Sequence, residues 1–269
     1  YLARYLLMSG PLVGGAYEMN PKSEVSELKV QGSDEDRFHA FLHSAINKPY
    51  SVNKPYKREH SSKWADAIIR SATKTIAITV YINFKSPKLT QDERLNLIEL
   101  ATQGIGKYWN REIAVDGTLY KVTVTAQHKS ESPLPVILRI EKSTKDYGRS
   151  VNAGVLGVDA RFIYNKGFFP NTTYSDDDFK LVCAHEFGHS VLKAAGGISL
   201  SWGHKGTTGV VSQAVKKSTP GYPTSGPIDL MKYYDDKKQQ VTFSQLINDT
   251  IVSEKDVMRL IWLSKIQWK

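Results

Sequence analysis

The sequence has one cysteine and no apolar run of the roughly 18 residues that crossing a bilayer requires. Cys183 alone excludes an intrachain disulfide, and its place two residues before His185 on a predicted helix favours a core position. Residues 1–16 are apolar and glycine-rich, but a charge and a proline interrupt them, so we expect a linker from a longer upstream polypeptide. We therefore expect a soluble protein without a transmembrane segment.

Acidic residues are in deficit, since 27 Asp and Glu face 36 Lys and Arg, which gives a net charge of +9. This excess favours acidic partners such as nucleic acid, an anionic envelope surface or an acidic protein inhibitor, and it equally serves solubility. There is no internal repeat, low-complexity tract, aromatic-interleaved basic motif or nuclease-type metal cluster. A toxin acting on nucleic acid is thus the last-ranked hypothesis, and no specific nucleic-acid partner is expected.

The chain has 269 residues, of which 41% are apolar, enough for a substantial core. Residues 17–62 are polar and turn-rich, with a short helix predicted at 34–46. We therefore predict a linker or extension over 1–62 that packs on a domain spanning 63–269. In that domain the pattern predicts a helix at 63–73, followed by the clearest strand of the chain, with strict alternation, at 75–84.

A second helix is predicted to begin at Thr90, where Thr90 and Glu93 form a capping-box pattern. Its predicted apolar stripe consists of Leu95, Ile98, Ala101, Ile105 and Trp109. Strands are predicted at 119–126, 136–142 and 155–164, with a tight turn at Asp116-Gly117 before the first of them.

A further helix is predicted from an N-cap at Ser175, followed by three aspartates, to a stop at Gly196-Gly197. A long glycine- and proline-rich loop at 198–229 and a C-terminal helix at 253–268 complete the chain. Strands that alternate with helices in this order predict an α+β fold, with a mixed sheet packed on helices.

The predicted helix contains His185-Glu186-Phe187-Gly188-His189, an H-E-x-x-H motif. Four residues make about one helical turn, so both imidazoles point the same way and can bind one zinc ion. Zinc prefers neutral imidazole nitrogens and commonly keeps one position for water in catalytic sites. Glu186 is then the candidate catalytic base, because it lies close enough to take the proton of that water. Gly188 is expected to permit close approach of a neighbouring backbone.

The third ligand is open between two residues. The longer pattern with Gly and His after the second histidine is excluded, because Leu192 and Ala195 occupy those positions. Asp229 is the favoured candidate, since a Pro-bounded loop would hold its carboxylate rigidly; otherwise it caps a helical turn at 230–235. His204 is the alternative, and it could instead face substrate.

Two tyrosines follow Asp229 in the same segment. Tyr233 or Tyr234 could donate a hydrogen bond to the oxyanion of the reaction, although either could simply belong to the core. These residues favour a zinc endopeptidase. The competing hypothesis is a non-catalytic, zinc-stabilised interaction or adhesin module, which predicts a closed site with four protein ligands.

Several segments resemble the zincin metallopeptidase toxin domains at the C-termini of bacterial polymorphic toxins, closest to those of type VI secretion spike proteins of the VgrG kind. The resemblance is carried by HEFGHS at 185–190, AAGG at 194–197, SWGHKGTT at 201–208 and IDLMKYY at 228–234. Upstream, GKYW at 106–109 and YKV at 120–122 are also similar. The resemblance covers about the last two-thirds of the chain.

The resemblance implies a zincin-like fold with the H-E-x-x-H helix at its centre, in which both histidines and a downstream acid bind zinc and Glu186 is catalytic. Relatives can carry Glu at the position of Pro227, so here Asp229 or His204 would have to replace that ligand, or zinc would be held loosely. The resemblance also implies an antibacterial effector that is made in the cytoplasm and is secreted or delivered into target bacteria. The periplasm of the target is one destination consistent with this. Its partners would be a protein or peptide substrate and a cognate immunity protein.

Overall fold

The computed structural model describes residues 62–151, 160–194 and 215–269, together with residues 35, 37, 38 and 40–42. Its elements in chain order are β1 (Ala65–Arg70), β2 (Thr75–Lys85), α1 (Gln91–Trp109), β3 (Arg111–Val115), β4 (Thr118–His128), β5 (Pro135–Glu141), β6 (Ala160–Asn165), α2 (Thr172–Ala194), β7 (Ile228–Asp229), α3 (Phe243–Asp249), β8 (Thr250–Ile251), α4 (Glu254–Leu263) and β9 (Lys265–Trp268). Parallel and antiparallel pairs share one large sheet, against which helices pack. The fold is therefore α+β with a mixed sheet, as the sequence predicts.

Strand β2 lies at the centre of this sheet, and the alternation that predicted it is confirmed, with every second side chain buried. Residues 75–80 pair with β1 in antiparallel fashion, and residues 75–82 pair with β4 in parallel. Beyond Ala65, where β1 begins, residues 83–85 of β2 pair with β5, which in turn pairs with β6. One long strand thus joins the two parts of the sheet.

Strand β4 forms a hairpin with β3, which the sequence analysis did not predict. The two strands meet at Asp116-Gly117, where φ is 51° and 75°, the left-handed values of a type I′ turn. The predicted turn and the predicted strands at 119–126 and 136–142 are confirmed by β4 and β5. Strand β6 corresponds to the end of the strand predicted at 155–164; residues 155–159 lie outside the described residues.

Helix α1 begins as predicted, since the side chains and backbone of Thr90 and Glu93 form both bonds of a capping box. Its buried face differs from the predicted stripe, because Leu95 is 51% exposed and Leu97 is buried instead. The helix packs against β4 and α2. At Gly104 it comes so close to α2 that a Cβ atom would lie 2.3 Å from the Lys180 carbonyl oxygen.

One predicted helix is wrong, and another ends earlier than predicted. Residues 63–73 contain β1 instead of a helix, since Ala65, Ala67 and Ile69 alternate into the core and pairing with β2 outweighs the helical propensity of the segment. The C-terminal helix, predicted to reach 268, ends at Leu263. The following residues form β9, which pairs in parallel with β1.

The described residues between 35 and 42 are helical, in agreement with the short helix predicted at 34–46. Phe38 packs edge-on against the rings of Tyr120 and Trp268, at centroid distances of 5.6 and 5.7 Å. This part of the N-terminal segment therefore adds to the core. No helix in the described ranges has the length and apolar character needed to cross a bilayer.

Candidate metal centre

Helix α2 carries the H-E-x-x-H motif, and all three of its functional side chains are buried, with exposures of 4% for His185, 8% for Glu186 and 4% for His189. The imidazole centroids of the two histidines are 4.9 Å apart, and their planes are perpendicular. This confirms the predicted helix and the convergence of the two rings on one helix face. The stop predicted at Gly196-Gly197 lies outside the described residues.

The start of α2 differs from the prediction. The helix begins at Thr172, where the Asn171 side chain accepts a hydrogen bond of 2.9 Å from the Tyr174 amide. Ser175 is therefore not the N-cap; its hydroxyl donates to the Asn165 carbonyl on β6. The first turn of the helix is thus fixed by β6 as well as by its own cap.

A backbone carbonyl orients His185. Nδ1 lies 2.7 Å from the Leu230 carbonyl oxygen, which can only accept, so Nδ1 carries the proton and Nε2 keeps its lone pair. Metal-binding histidines typically make this kind of bond. Burial lowers the pKa of His185 to about 4 and the pKa of His189 well below its usual value. Both rings are therefore neutral at physiological pH, which is the form that binds a metal.

Aromatic packing holds the motif on its other side. The Phe187 ring packs edge-on against the rings of Trp109 and Trp64, with ring centroids 5.1 and 5.9 Å apart. The Trp109 indole N–H also donates to the Ala184 carbonyl, 3.1 Å away. These contacts fix the rotation of α2, and so they fix the direction of the imidazoles.

Gly188 allows the downstream segment to approach the motif. A Cβ atom here would lie 2.3 Å from the Met231 sulfur and 3.2 Å from the Trp109 ring. The close neighbours are therefore side chains, where the sequence analysis expected a backbone. Met231 is fully buried and adjoins Leu230, whose carbonyl accepts from His185.

Asp229 lies at the end of β7 and lines the same small cleft as His185. Its Oδ1 accepts a hydrogen bond of 2.9 Å from the Met231 amide, and its own amide donates to the Tyr234 hydroxyl at 3.0 Å. Only residues 230 and 231 form a turn, and the helical turn predicted at 230–235 is absent; the Asp229 carboxylate instead closes a short side-chain turn. Across the described ranges, no three His, Cys, Asp or Glu side chains are grouped so as to hold a metal.

The third ligand stays a prediction, with Asp229 and His204 as its two candidates; His204 lies outside the described residues.

The two tyrosines considered as oxyanion donors have different surroundings in the structure. Tyr234 stacks on Tyr222 at 4.8 Å, and its hydroxyl accepts from Asp229. Tyr233 is buried, with an exposure of 4%, and its role as an oxyanion donor stays a prediction.

The structure adds a segment that sequence reasoning missed. Residues 147–151, here called the strap, lie along β6 and contact α2. The Tyr147 hydroxyl donates to both carboxylate oxygens of Asp178, at 3.2 and 3.0 Å. Arg149 is half-buried in the strap; burial lowers the pKa of its guanidinium, and Tyr233 and Glu186 raise it. No periodicity or motif in this polar stretch distinguishes these residues in the sequence.

Asp178 gives a prediction about pH. Burial raises the pKa of its carboxyl to about 7, while the Tyr147 hydrogen bond acts in the opposite direction. A carboxyl with a raised pKa in the folded state stabilises the fold less as the pH rises from its unfolded pKa towards 7. We expect Asp178→Asn to become more stable relative to the wild type by about 2 kcal/mol between pH 5 and pH 8.

Urea denaturation of both proteins, free of metal, at the two pH values measures this difference. The contributions of the buried histidines are present in both proteins, and they cancel in the comparison. Parallel pH profiles of the two proteins would contradict the assignment.

The two histidines of the motif fit a zinc ion, and the third ligand stays a prediction. His185 and His189 supply two neutral imidazoles one helical turn apart, and Leu230 fixes one of them in the ligand tautomer.

No protein-family model matches the chain, and comparison with curated proteins and with solved structures gives no match either.

Proposed function

We propose that this chain is a zinc-dependent peptidase with a zincin-like arrangement, built around the H-E-x-x-H segment of α2. The observation that carries the proposal is the buried pair of neutral imidazoles with a buried glutamate beside them. Burial of three ionisable side chains on one helix costs free energy, which metal coordination would offset. The Leu230 carbonyl orients His185 as a ligand.

A bound zinc ion would polarise the scissile carbonyl and make a coordinated water acidic. The chain's own residues then supply the remaining steps. Glu186 takes a proton as the water oxygen bonds to the carbonyl carbon, and passes it to the amine nitrogen as the C–N bond breaks. His185 and His189 would hold the metal, and Asp229 or His204 is the proposed third ligand.

The test is metal content together with hydrolysis of an unfolded protein. We expect about one zinc ion per chain, loss of cleavage with chelator, and recovery when zinc is added back. His189→Ala should lose both zinc and activity, whereas His128→Gln, at an exposed histidine on β4, should keep both. Chelator-insensitive cleavage would refute the metal mechanism, and bound zinc without cleavage would favour the non-catalytic module.

We further propose that the peptidase is an antibacterial effector domain of a secretion system, delivered into competing bacteria and neutralised by a cognate immunity protein. The support is the resemblance of residues 185–190 and 228–234 to such toxin domains. Expression directed to the bacterial periplasm should inhibit growth, and the Glu186→Gln chain should not. Growth inhibition that persists in that variant would exclude proteolysis as its cause.

A further inference from the structure

Strand β2 leaves the sheet before its neighbour β5 ends. The last pair between them is Lys85 with Ile137, whereas β5 continues beside β6 as far as Glu141. In this register the next bond would run from the amide of residue 87 to the Leu138 carbonyl, but Pro87 has no N–H to donate. In the described parts of the chain, residues 138–141 therefore pair with β6 alone.

The backbone of β5 has unpaired groups on the side that β2 has left. The Asn83 amide of β2 donates to the Leu134 carbonyl at 2.9 Å. The Glu141 carbonyl instead accepts from Lys166, on the β6 side. Because successive residues of a strand direct their amide and carbonyl to opposite neighbours, the even-numbered residues from 134 to 140 face β2. The Ile140 amide and carbonyl therefore point to this side, beyond the last residue of β2.

A cavity of about 300 Å³ lies beside these groups. It is lined by residues 137–142, by Ile163 of β6 and by the segment after β2, including Pro87 and Leu89. We call this cavity the β5 groove, and all of its lining residues belong to the described ranges. A groove with apolar walls beside an open strand edge is the setting in which an extended peptide adds to a sheet as a further strand.

The charges of the β5 groove favour an acidic ligand. Its two acidic side chains are already engaged. Glu93 accepts from the amide and the hydroxyl of Thr90, and Glu141 accepts from the Ser143 amide. The basic side chains of the groove are Lys88, Arg139 and Lys142. Across residues 62–151, 160–194 and 215–269, none of these three forms a hydrogen bond or an ion pair. Carboxylates of a ligand would therefore meet cations that have no acidic partner in these ranges.

The groove is far from the candidate metal centre. Glu93 lies in the first turn of α1, whereas Trp109, which packs on Phe187 of the motif, lies at the end of the same helix. A helix rises about 1.5 Å per residue, so about 24 Å separates these two positions. A peptide in the β5 groove would thus leave the centre open.

The two faces of β5 differ beside the groove. Arg139 is exposed on one face, whereas Leu138 and Ile140 lie on the other. A strand added here would place its alternate side chains next to these two surroundings. We propose that the β5 groove binds an extended segment of a protein partner, in which acidic and apolar residues alternate, as an additional strand beside residues 138–141. This inference does not depend on the proposed function.

The probe is a fluorescent octapeptide of alternating valine and glutamate. We expect it to bind the wild type with a Kd below about 1 mM by fluorescence polarisation, and an octapeptide of alternating valine and lysine should not bind. Arg139→Glu should weaken binding by about fivefold or more, because repulsion replaces attraction. The matched control is Lys121→Glu, the same change of charge at an exposed position on β4, which should bind as the wild type. Thermal unfolding of both variants checks that the fold is kept.

Methylation of the peptide backbone tests the strand pairing. Two versions of the acidic octapeptide carry N-methyl groups on one or the other set of alternate amides. One set alone would face β5, so one version should lose binding and the other should keep it. Hydrogen exchange of the Ile140 amide should also slow when the unmethylated peptide is bound, because that amide gains an acceptor.

Any of the following results would overturn the inference. They are no binding of the acidic peptide at about 1 mM, equal binding of the lysine peptide, equal affinity of the two methylated versions, and an unchanged affinity in Arg139→Glu. Protection of the Ile140 amide before peptide is added would also overturn it, since the chain itself or a second copy would then cover β5. Mass spectrometry of the recovered peptide excludes cleavage as the cause of a signal, and a chain that binds no zinc would leave these results unaffected.

Discussion

Replacing Glu186 by Gln is expected to lower kcat by about 10³-fold while the zinc content stays at the wild-type level. The side chain is 8% exposed and follows His185 directly on α2, so it lies at the centre without being required as a ligand. Gln has nearly the same size and shape as Glu and can still form hydrogen bonds, but it cannot take a proton from water. General base catalysis contributes about 10²–10⁴-fold in enzymes, and this change removes that contribution.

The matched control is Glu99→Gln, an exposed glutamate on α1 that accepts a hydrogen bond from Gln103. It makes the same chemical change on a helix away from the centre, and its kcat should equal that of the wild type. Metal analysis of both variants excludes loss of zinc as the cause. A zinc-loaded Glu186→Gln chain that keeps more than a tenth of the wild-type kcat would show that another group accepts the proton.

The parts of the fold that could be predicted are those specified by neighbouring residues. The alternation in β2, the capping box of α1 and the Asp116-Gly117 turn each depend on a few consecutive residues. The H-E-x-x-H motif belongs to the same group, because one helical turn alone brings its two imidazoles together. In all four cases the contacts between residues close in the sequence strongly favour one backbone conformation.

The parts that were missed depend on pairing between distant segments. Strands β1 and β9 pair in parallel although about 200 residues separate them. A strand thus replaces the helix predicted at 63–73 and the end of the predicted C-terminal helix. In β1, Ile68 and Ile69 favour a strand whereas Ala65 and Ala67 favour a helix, so pairing with β2 and β9 decides the conformation. Sequence reasoning has no access to such partners from one chain.

The candidate site divides in the same way. His185, Glu186 and His189 could be named from the sequence, because one helix positions them. The strap could not, since its contact with α2 depends on bonds of Gly148 to β6 and of Tyr147 to Asp178, which are distant in the sequence. The buried carboxyl of Asp178 was interpreted as a charge favourable to the helix start, whereas the structure shows it paired with Tyr147.

The close approach of α1 and α2 leads to the largest expected effect on stability. A Cβ atom at Gly104 would lie 2.3 Å from the Lys180 carbonyl oxygen and 2.6 Å from its Cα. Both are backbone atoms of α2, so no side chain can turn aside and the helices must separate. We expect Gly104→Ala to lower the free energy of unfolding by about 3 kcal/mol and the Tm by about 10 °C.

The same helix offers the control. At Gly106 a Cβ atom would meet only the Val124 carbonyl oxygen at 3.4 Å, an ordinary contact. Gly106→Ala should therefore keep or raise the stability, since alanine favours a helix by about 1 kcal/mol over glycine. Lys180 precedes His185 by five residues, so the shift in Gly104→Ala should also weaken zinc binding. Equal thermal stability of the two variants would show that α1 and α2 do not pack backbone to backbone at this point.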